Sequence, residues 1–486
     1  MFMYSIFRTQ FTMNKPSHQP APKLQELRFG TAVGSLLVAV GLSSILIACG
    51  GAGDVEQEQQ DAAAEVQAEV DVSASEVDVD AEDDGRATAA AVVAVSDKPV
   101  GFAAGVTGGG GRNVVRVTNA AQLKHELCHS PSAKGDICND HEPRTIEVSG
   151  MIDFTNSEGT ASADGCFASA LCTAPGAKNE VTLIITESER PRCDNKPGRG
   201  KYSYSVAGVQ GLTIGSNKTV VGLGKNSGLK GKGLMLKNNV SNIIIRNLSF
   251  TDINAGKVFG ADAITIKDAT RVWIDHNYFA RIGRQMIVTG TGSGLDAVDD
   301  LTISNNEFDG RSEYACDGRH YWNVLLVGNG QMTFSGNWFH HFAGRAPKFG
   351  SGKGLQVQLV NNYFENAGTH GHALEYSERV QVLAEGNYFN SVGYPVDRPP
   401  AKPGQLYGIY SQNAASKASC TNAIGRICSG NIVTPPPTAN HMVQDSAVLN
   451  AMKPLKASLV KAYSASNVPD TVRAKAGVGK VAALNR

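Results

Sequence analysis

The chain has 486 residues, 42% of them hydrophobic and 19% charged, with 53 glycines and 19 prolines. That is enough for one large domain or two to three ordinary ones, and it excludes a collagenous or wholly disordered protein. Formal net charge is zero, but residues 50–85 hold thirteen acidic and no basic side chains, while residues 86–486 hold forty-one basic against thirty-one acidic, a body of about +10. Such a body behind an acidic tether suits an acidic partner, a polyuronate as readily as a nucleic acid.

In chain order, the first predicted element is an export segment. Residues 31–48 carry no charge, and Lys23 and Arg28 lie just ahead of them. A short apolar run behind basic residues reads as a signal peptide over residues 1–48 rather than a membrane span. It ends in Leu46-Ile47-Ala48-Cys49-Gly50, which resembles the bacterial lipobox. Cys49 would then be the lipidated first residue of an outer-membrane or cell-surface lipoprotein. Residues 49–95 continue as an acidic stretch without aromatic residues, which cannot offset its ordering entropy and reads as a flexible linker. The folded body is expected over residues 96–486. It holds eight cysteines, an even count that reads as disulfides in an exported chain, and no Cys-x-x-Cys pair that would argue for zinc.

The body is repetitive. Six segments end in Phe250, Phe279, Phe308, Phe339, Phe364 and Phe389, at intervals of 29, 29, 31, 25 and 25 residues. In the last five, an asparagine stands two places earlier: Asn277, Asn306, Asn337, Asn362 and Asn387. A period in the twenties with one short β-branched run per repeat is too short for a propeller blade and lacks the helical spacing of ankyrin units. It predicts an all-β, right-handed parallel β-helix in which the phenylalanines stack inside and the asparagines satisfy backbone groups at a turn. Upstream, residues 112–230 supply the first coils, with a helical cap near 120–127. The stretches 452–460 and 469–475 have helical spacing and predict a tail packed on the coil. Function is then expected in loops on one face, around 292–300, 309–321 and 344–354.

Three groups on this scaffold carry chemistry: residues 260–266 with the Trp273-Ile274-Asp275-His276 run, residues 280–285, and Gly344-Arg345-Ala346-Pro347-Lys348. There is no Gly-x-Ser-x-Gly and no phosphate loop, since Gly108–Gly111 is not followed by Lys and Ser or Thr. The run DAITIKDATRVWIDHNYFARIGRQMIVTG from Asp262, the segments FDGRSEY and CDGRHYW, GRAPK, and the Cys420–Cys428 spacing together resemble polysaccharide lyase family 1, and within it the pectin lyases. The resemblance covers roughly residues 100–480 and is strongest over 256–350.

That resemblance implies β-elimination across C4–C5 of a methyl-galacturonate in pectin. Something must remove the C5 proton, and something must stabilise charge on the C6 carbonyl oxygen. By resemblance Arg345 is the base, Arg284 and Lys348 supply positive charge, and Asp262 holds Arg284 through a charge-assisted hydrogen bond. A guanidinium normally stays protonated, so a basic Arg345 needs neighbouring cations to lower its pKa; otherwise it acts electrostatically and water is the base. Substrate contacts are expected from Phe259, Tyr321, Trp322 and Arg319, Phe259 standing where the family has Trp. With only three tryptophans in the chain, partly de-esterified pectin is expected to be tolerated. The resemblance also implies the pairs Cys166–Cys193, Cys172–Cys316 and Cys420–Cys428, leaving Cys128–Cys138 as a local pair.

The resemblance implies neither cofactor nor metal. Where pectate lyases place two calcium-binding Asp residues four apart, this chain has Arg284 and Val288, so a guanidinium takes the cation's place. The partner implied is pectin, not nucleic acid, with membrane contact only through the lipid anchor, and the chain reads as a monomer. Two other readings are a calcium-dependent pectate lyase of the same fold and a non-catalytic pectin-binding surface protein.

Overall fold

The computed structural model describes residues 97–168, 171–290, 298–350 and 354–481. The expected signal peptide, Cys49 and the acidic linker lie outside the described residues, as does most of the expected 292–300 loop.

The repeat wraps into a right-handed parallel β-helix built from three stacks of short strands. In the first stack the register aligns Phe250, Phe279, Phe308, Phe339, Phe364 and Phe389 on successive coils. All six rings are buried and stack nearly parallel, with consecutive centroids 4.3 to 5.6 Å apart. A second stack aligns Ile243, Val272, Leu301, Met332, Val357, Val382 and Leu406. The third aligns Leu234, Ile264, Ile287 and Val324, then continues through Lys348–Gly350. Each stack sends alternate side chains inward, so one continuous apolar column runs along the coil.

The asparagines solve the polar problem at the bend between the second and first stacks. The side chain of Asn306 donates to the carbonyl of Ile274 at 3.0 Å and accepts the backbone N–H of Asn277 at 2.9 Å. Asn337, Asn362 and Asn387 repeat the pattern. Asn431 ends the ladder by accepting the N–H of Asn387 at 3.0 Å. A buried amide left unmade costs on the order of 1–3 kcal/mol, so each rung satisfies a group that the bend would otherwise orphan.

Both flanks of the coil are covered. Helix Ala120–Leu127, capped by Asn119 accepting from the Gln122 N–H at 3.0 Å, buries Leu123 and Leu127 against the first coils. Trp273 is buried under Ala103 and Val106 of the N-terminal segment, so the Trp-Ile-Asp-His run is structural. At the other end, helices Ala414–Ile424 and Ser446–Met452 close the coil over Leu383, Tyr407 and Ile409. The helix expected over 452–460 instead ends at Met452 and passes into a short 3₁₀ turn, Lys453–Leu455, because Pro454 supplies no N–H to continue an α-helix. The last segment then runs back along the outside: Tyr463 N–H bonds Asn361, Gly477 N–H bonds the Asn305 carbonyl, and Gly479 N–H bonds Asn247. Helix Val468–Lys475 on this segment packs Val468, Val472 and Ala476 over Tyr363, Trp338 and Tyr388.

A separate four-stranded sheet stands off the coil: Thr160–Phe167, Val181–Leu183, Gly200–Ser205 and Lys257–Val258. Disulfides join Cys166 to Cys193 and Cys172 to Cys316, and two others join Cys128 to Cys138 and Cys420 to Cys428. The first ties strand Thr160–Phe167 to the 3₁₀ segment Glu187–Cys193, and the second ties the connection after that strand to the loop over 309–321.

Candidate active site

The third stack positions the site. Strands Ile264–Ile266, Ile287–Thr289, Val324–Val327 and Lys348–Gly350 lie side by side, and the turns leading into them carry Asp262, Arg284, Trp322 and Arg345 respectively. Backbone bonds join the turns coil to coil: Ala263 N–H to the Gln285 carbonyl at 3.0 Å, Met286 N–H to that of Asn323 at 2.7 Å, Val324 N–H to that of Arg345 at 2.8 Å. Paired strands sit ~4.8 Å apart, so residues more than eighty positions apart in the chain share one small surface.

Arg284 faces Asp262. Its guanidinium lies 3.3 Å from the Asp262 carboxylate, whose other oxygen accepts the Gln285 N–H at 2.9 Å. Beneath it, the buried His320 ring places Nε2 at 2.9 Å from the Arg284 carbonyl and 3.0 Å from the Trp322 carbonyl. Two acceptors require that Nε2 carry the proton, and burial holds the imidazole below its ordinary pKa despite the two carbonyls. His320 is therefore a neutral peg fixing the Arg284 backbone.

Arg345 is almost fully enclosed, 3% exposed, and its backbone is left-handed at φ 45°. Its guanidinium carbon lies 4.6 Å from the Trp322 ring centre and 5.6 Å from that of Tyr321. Stacking of a desolvated guanidinium on indole is worth about 1–2 kcal/mol and fixes its plane. Asn323 ties the two turns by donating to the Gly344 carbonyl at 2.8 Å and that of His320 at 2.9 Å. Tyr321 and Trp322 thus serve Arg345 directly, beyond the substrate contact expected of them.

Two residues absent from the sequence reading complete the cluster. Register places Glu375 beside Lys348 on the next coil. Its carboxylate lies 3.4 Å from Lys348 Nζ, accepts the Arg345 N–H at 2.9 Å, and meets His372 Nε2 at 2.8 Å. Burial pushes the Glu375 carboxyl up, but His372, Lys348 and Arg345 outweigh it and hold the group well below the usual carboxylate range. Glu375 and His372 fall in a stretch without a motif, and only coil register could have found them.

Arg319, expected as a substrate contact, is hydrogen-bonded within the protein. Its Nε and one terminal nitrogen donate to Asn366, at 3.2 and 3.0 Å, and the other donates to the Asp317 carbonyl at 3.3 Å. These bonds anchor the 309–321 loop to the neighbouring coil. Phe259 does lie at the site: the Arg284 guanidinium sits 4.9 Å from its ring centre.

One pattern overlooked in the sequence is His-Glu-x-x-His at 125–129, whose ligand atoms on His125, Glu126 and His129 lie within 4.8 Å of one another. The Arg144 guanidinium occupies its edge, 2.7 Å from His129 Nδ1 and 3.2 Å from Glu126, so the cluster is an ion-paired tie between the cap helix and the first coils.

The family model described as Pectate lyase matches residues 206–481, more than half of the chain. Probable pectin lyase E of Aspergillus fumigatus is 36% identical over 398 residues, covering 80% of this chain and 96% of that protein. The chain belongs to the pectate and pectin lyase family. Pectin lyase D of Aspergillus niger is 40% identical over 353 residues, 71% of this chain and 86% of its own. Among solved structures, a pectate lyase bound to hexasaccharide covers 79% of this chain and 97% of that one at 19% identity, with a TM-score of 0.48. Membership makes the chain a polysaccharide lyase. Among the described residues, no helix is long and apolar enough to cross a membrane.

Proposed function

We propose that this enzyme is a pectin lyase that cleaves methyl-esterified galacturonan within the chain by β-elimination and without a metal. Arg345 takes the C5 proton, the C5–H electron pair becomes the C4–C5 double bond, and the C4–O bond breaks as its oxygen leaves and picks up a proton from solvent. In this reading Arg284 and Lys348 meet the negative charge that grows on the ester carbonyl, the interaction expected to contribute most to rate. Glu375 opposes loss of a proton from Arg345, while the cations Arg284 and Lys348 favour it.

The observation that carries this reading is the Asp262–Arg284 pair. A dication such as calcium takes about six to eight oxygen ligands. The positions 262, 284 and 288 offer one carboxylate, already facing a guanidinium, and an apolar side chain. The four disulfides and the apolar segment at 31–48 support export; the same reading takes Cys49, at the end of a run resembling the bacterial lipobox, as a lipid anchor, residues 49–95 as tether and the body as a monomer.

The test is ultraviolet absorbance of the unsaturated product on highly methylated pectin and on polygalacturonate, each with and without chelator. Signal on pectin that survives chelator is expected. Signal only on polygalacturonate, lost with chelator, would replace this reading with a calcium-dependent pectate lyase, and silence on both would leave a binding protein.

A further inference from the structure

Trp322 differs from the other two tryptophans in where its indole N–H finds an acceptor. Trp273 donates to Ser304 Oγ at 2.9 Å and Trp338 to the Glu365 carboxylate at 3.1 Å, each on the next coil. Trp322 instead reaches out of the coil to the carboxylate of Glu180, 142 positions earlier, at 2.9 Å. Glu180 stands just ahead of strand Val181–Leu183 of the side sheet, and the chain around it is pinned. Its carbonyl accepts the Ala168 N–H, and the Val181 N–H donates to the Gly256 carbonyl, both at 2.9 Å. Two residues before it, Lys178 bonds the Glu313 carbonyl at 2.6 Å and pairs with the Glu313 carboxylate at 3.0 Å. Cys172 is joined to Cys316. A carboxylate on so fixed a backbone holds its acceptor oxygen in one place.

The indole carries that position on to Arg345. Its N–H edge is on Glu180, while the Arg345 guanidinium carbon lies 4.6 Å from its ring centre. Tyr321 stands edge-on to the same ring, with centres 5.1 Å apart. Trp322 is buried, so an indole N–H that lost its acceptor would be left unmade, and the ring would tilt to recover a partner. The guanidinium ends a long side chain, and its plane follows the ring it stacks on. A reacting group has to be held within about 0.5 Å and 10–20° of its productive geometry.

We propose that Glu180 is a positioning residue for the elimination: by accepting the Trp322 indole N–H it sets the plane on which Arg345 stacks. This rests on the reading of Arg345 as the reacting group and names what orients it.

The experiment is a double-mutant cycle in the full chain, with Glu180→Leu and Glu180→Gln each made alone and with Trp322→Phe. On methylated pectin, Glu180→Leu should lower kcat about 10–10²-fold while KM changes far less. Glu180→Gln, which keeps an acceptor oxygen, should restore most of kcat. With Trp322→Phe, which keeps an aromatic face but has no N–H to offer, neither Glu180 change should cost anything further. Equal losses in both backgrounds, or a loss in KM alone, would overturn the proposal. A second readout needs no turnover. Nitrogen-15 labelling of tryptophan gives one indole N–H signal for each of the three tryptophans, and the signal missing from Trp322→Phe is that of Trp322. Glu180→Leu should shift it and speed its exchange with solvent, and an unmoved signal would overturn the proposal. Should the wild type act on polygalacturonate alone, the pectin lyase reading falls; coupling measured on that substrate would uphold the positioning role, and additivity would overturn it. Silence on both substrates would overturn both.

Discussion

Glu375 accepts the backbone N–H of Arg345 at 2.9 Å, and the same carboxylate lies 3.4 Å from Lys348. The site therefore sets three cations, Arg284, Arg345 and Lys348, against two carboxylates, one on each side.

That anion tests which group takes the proton. Glu375→Gln keeps the shape and removes a charge that favours protonated Arg345. With Arg345 as base, the alkaline rise of kcat/KM should move to lower pH in the variant. A rise that stays in place, with only its height changed, would assign proton removal to water or hydroxide.

Arg345→Ala should lower kcat by about 10²–10⁴-fold, the span of a lost general base or charge stabiliser. Pectin binding should change far less, because Arg284 and Lys348 remain. Removing a guanidinium stacked on Trp322 also leaves a gap, so circular dichroism and the unfolding midpoint must be measured alongside. A variant that turns over at the wild-type rate would remove Arg345 from the mechanism.

Glu180 adds a pH dependence. Burial pushes its carboxyl up to about 7, against the hydrogen bond from the Trp322 indole N–H, which is 2.9 Å long. A carboxyl with a raised native pKa binds more protons folded than unfolded between about 4.5 and 7, so stability falls as pH rises through that window. Glu180→Gln should abolish this component, gaining on the order of 1–3 kcal/mol relative to wild type at pH 8 compared with pH 4. Guanidinium unfolding at the two pH values measures it. Equal differences at both would show that Glu180 titrates normally.

The asparagine ladder predicts a purely structural lesion. Asn306→Ala removes the bonds to Ile274, Ser304 and Asn337 and orphans the Asn277 N–H. A loss of about 2–4 kcal/mol is expected by denaturant unfolding, with kcat unchanged in whatever fraction remains folded. Asn306→Asp should be at least as costly, since a carboxylate cannot donate to those carbonyls.

The sequence by itself determined the coil. Phenylalanines and asparagines at a near-constant interval can only recur if each turn of chain stacks on the last, so Phe250 to Phe389 and Asn277 to Asn387 read directly as ladders. It also singled out Asp262, Arg284, Arg345 and Lys348 as candidates, because they stand in short runs whose resemblance to the family can be read locally. What only the tertiary structure decided is which residues meet across coils. The lengths of the coils vary with their loops, so nothing local aligns Glu375 with Lys348, hands Arg319 to Asn366, or brings Arg192 from the 3₁₀ segment Glu187–Cys193 onto the ring of Phe259. Those contacts depend on where each loop returns the chain to the stack, and backbone pairing between coils fixes that.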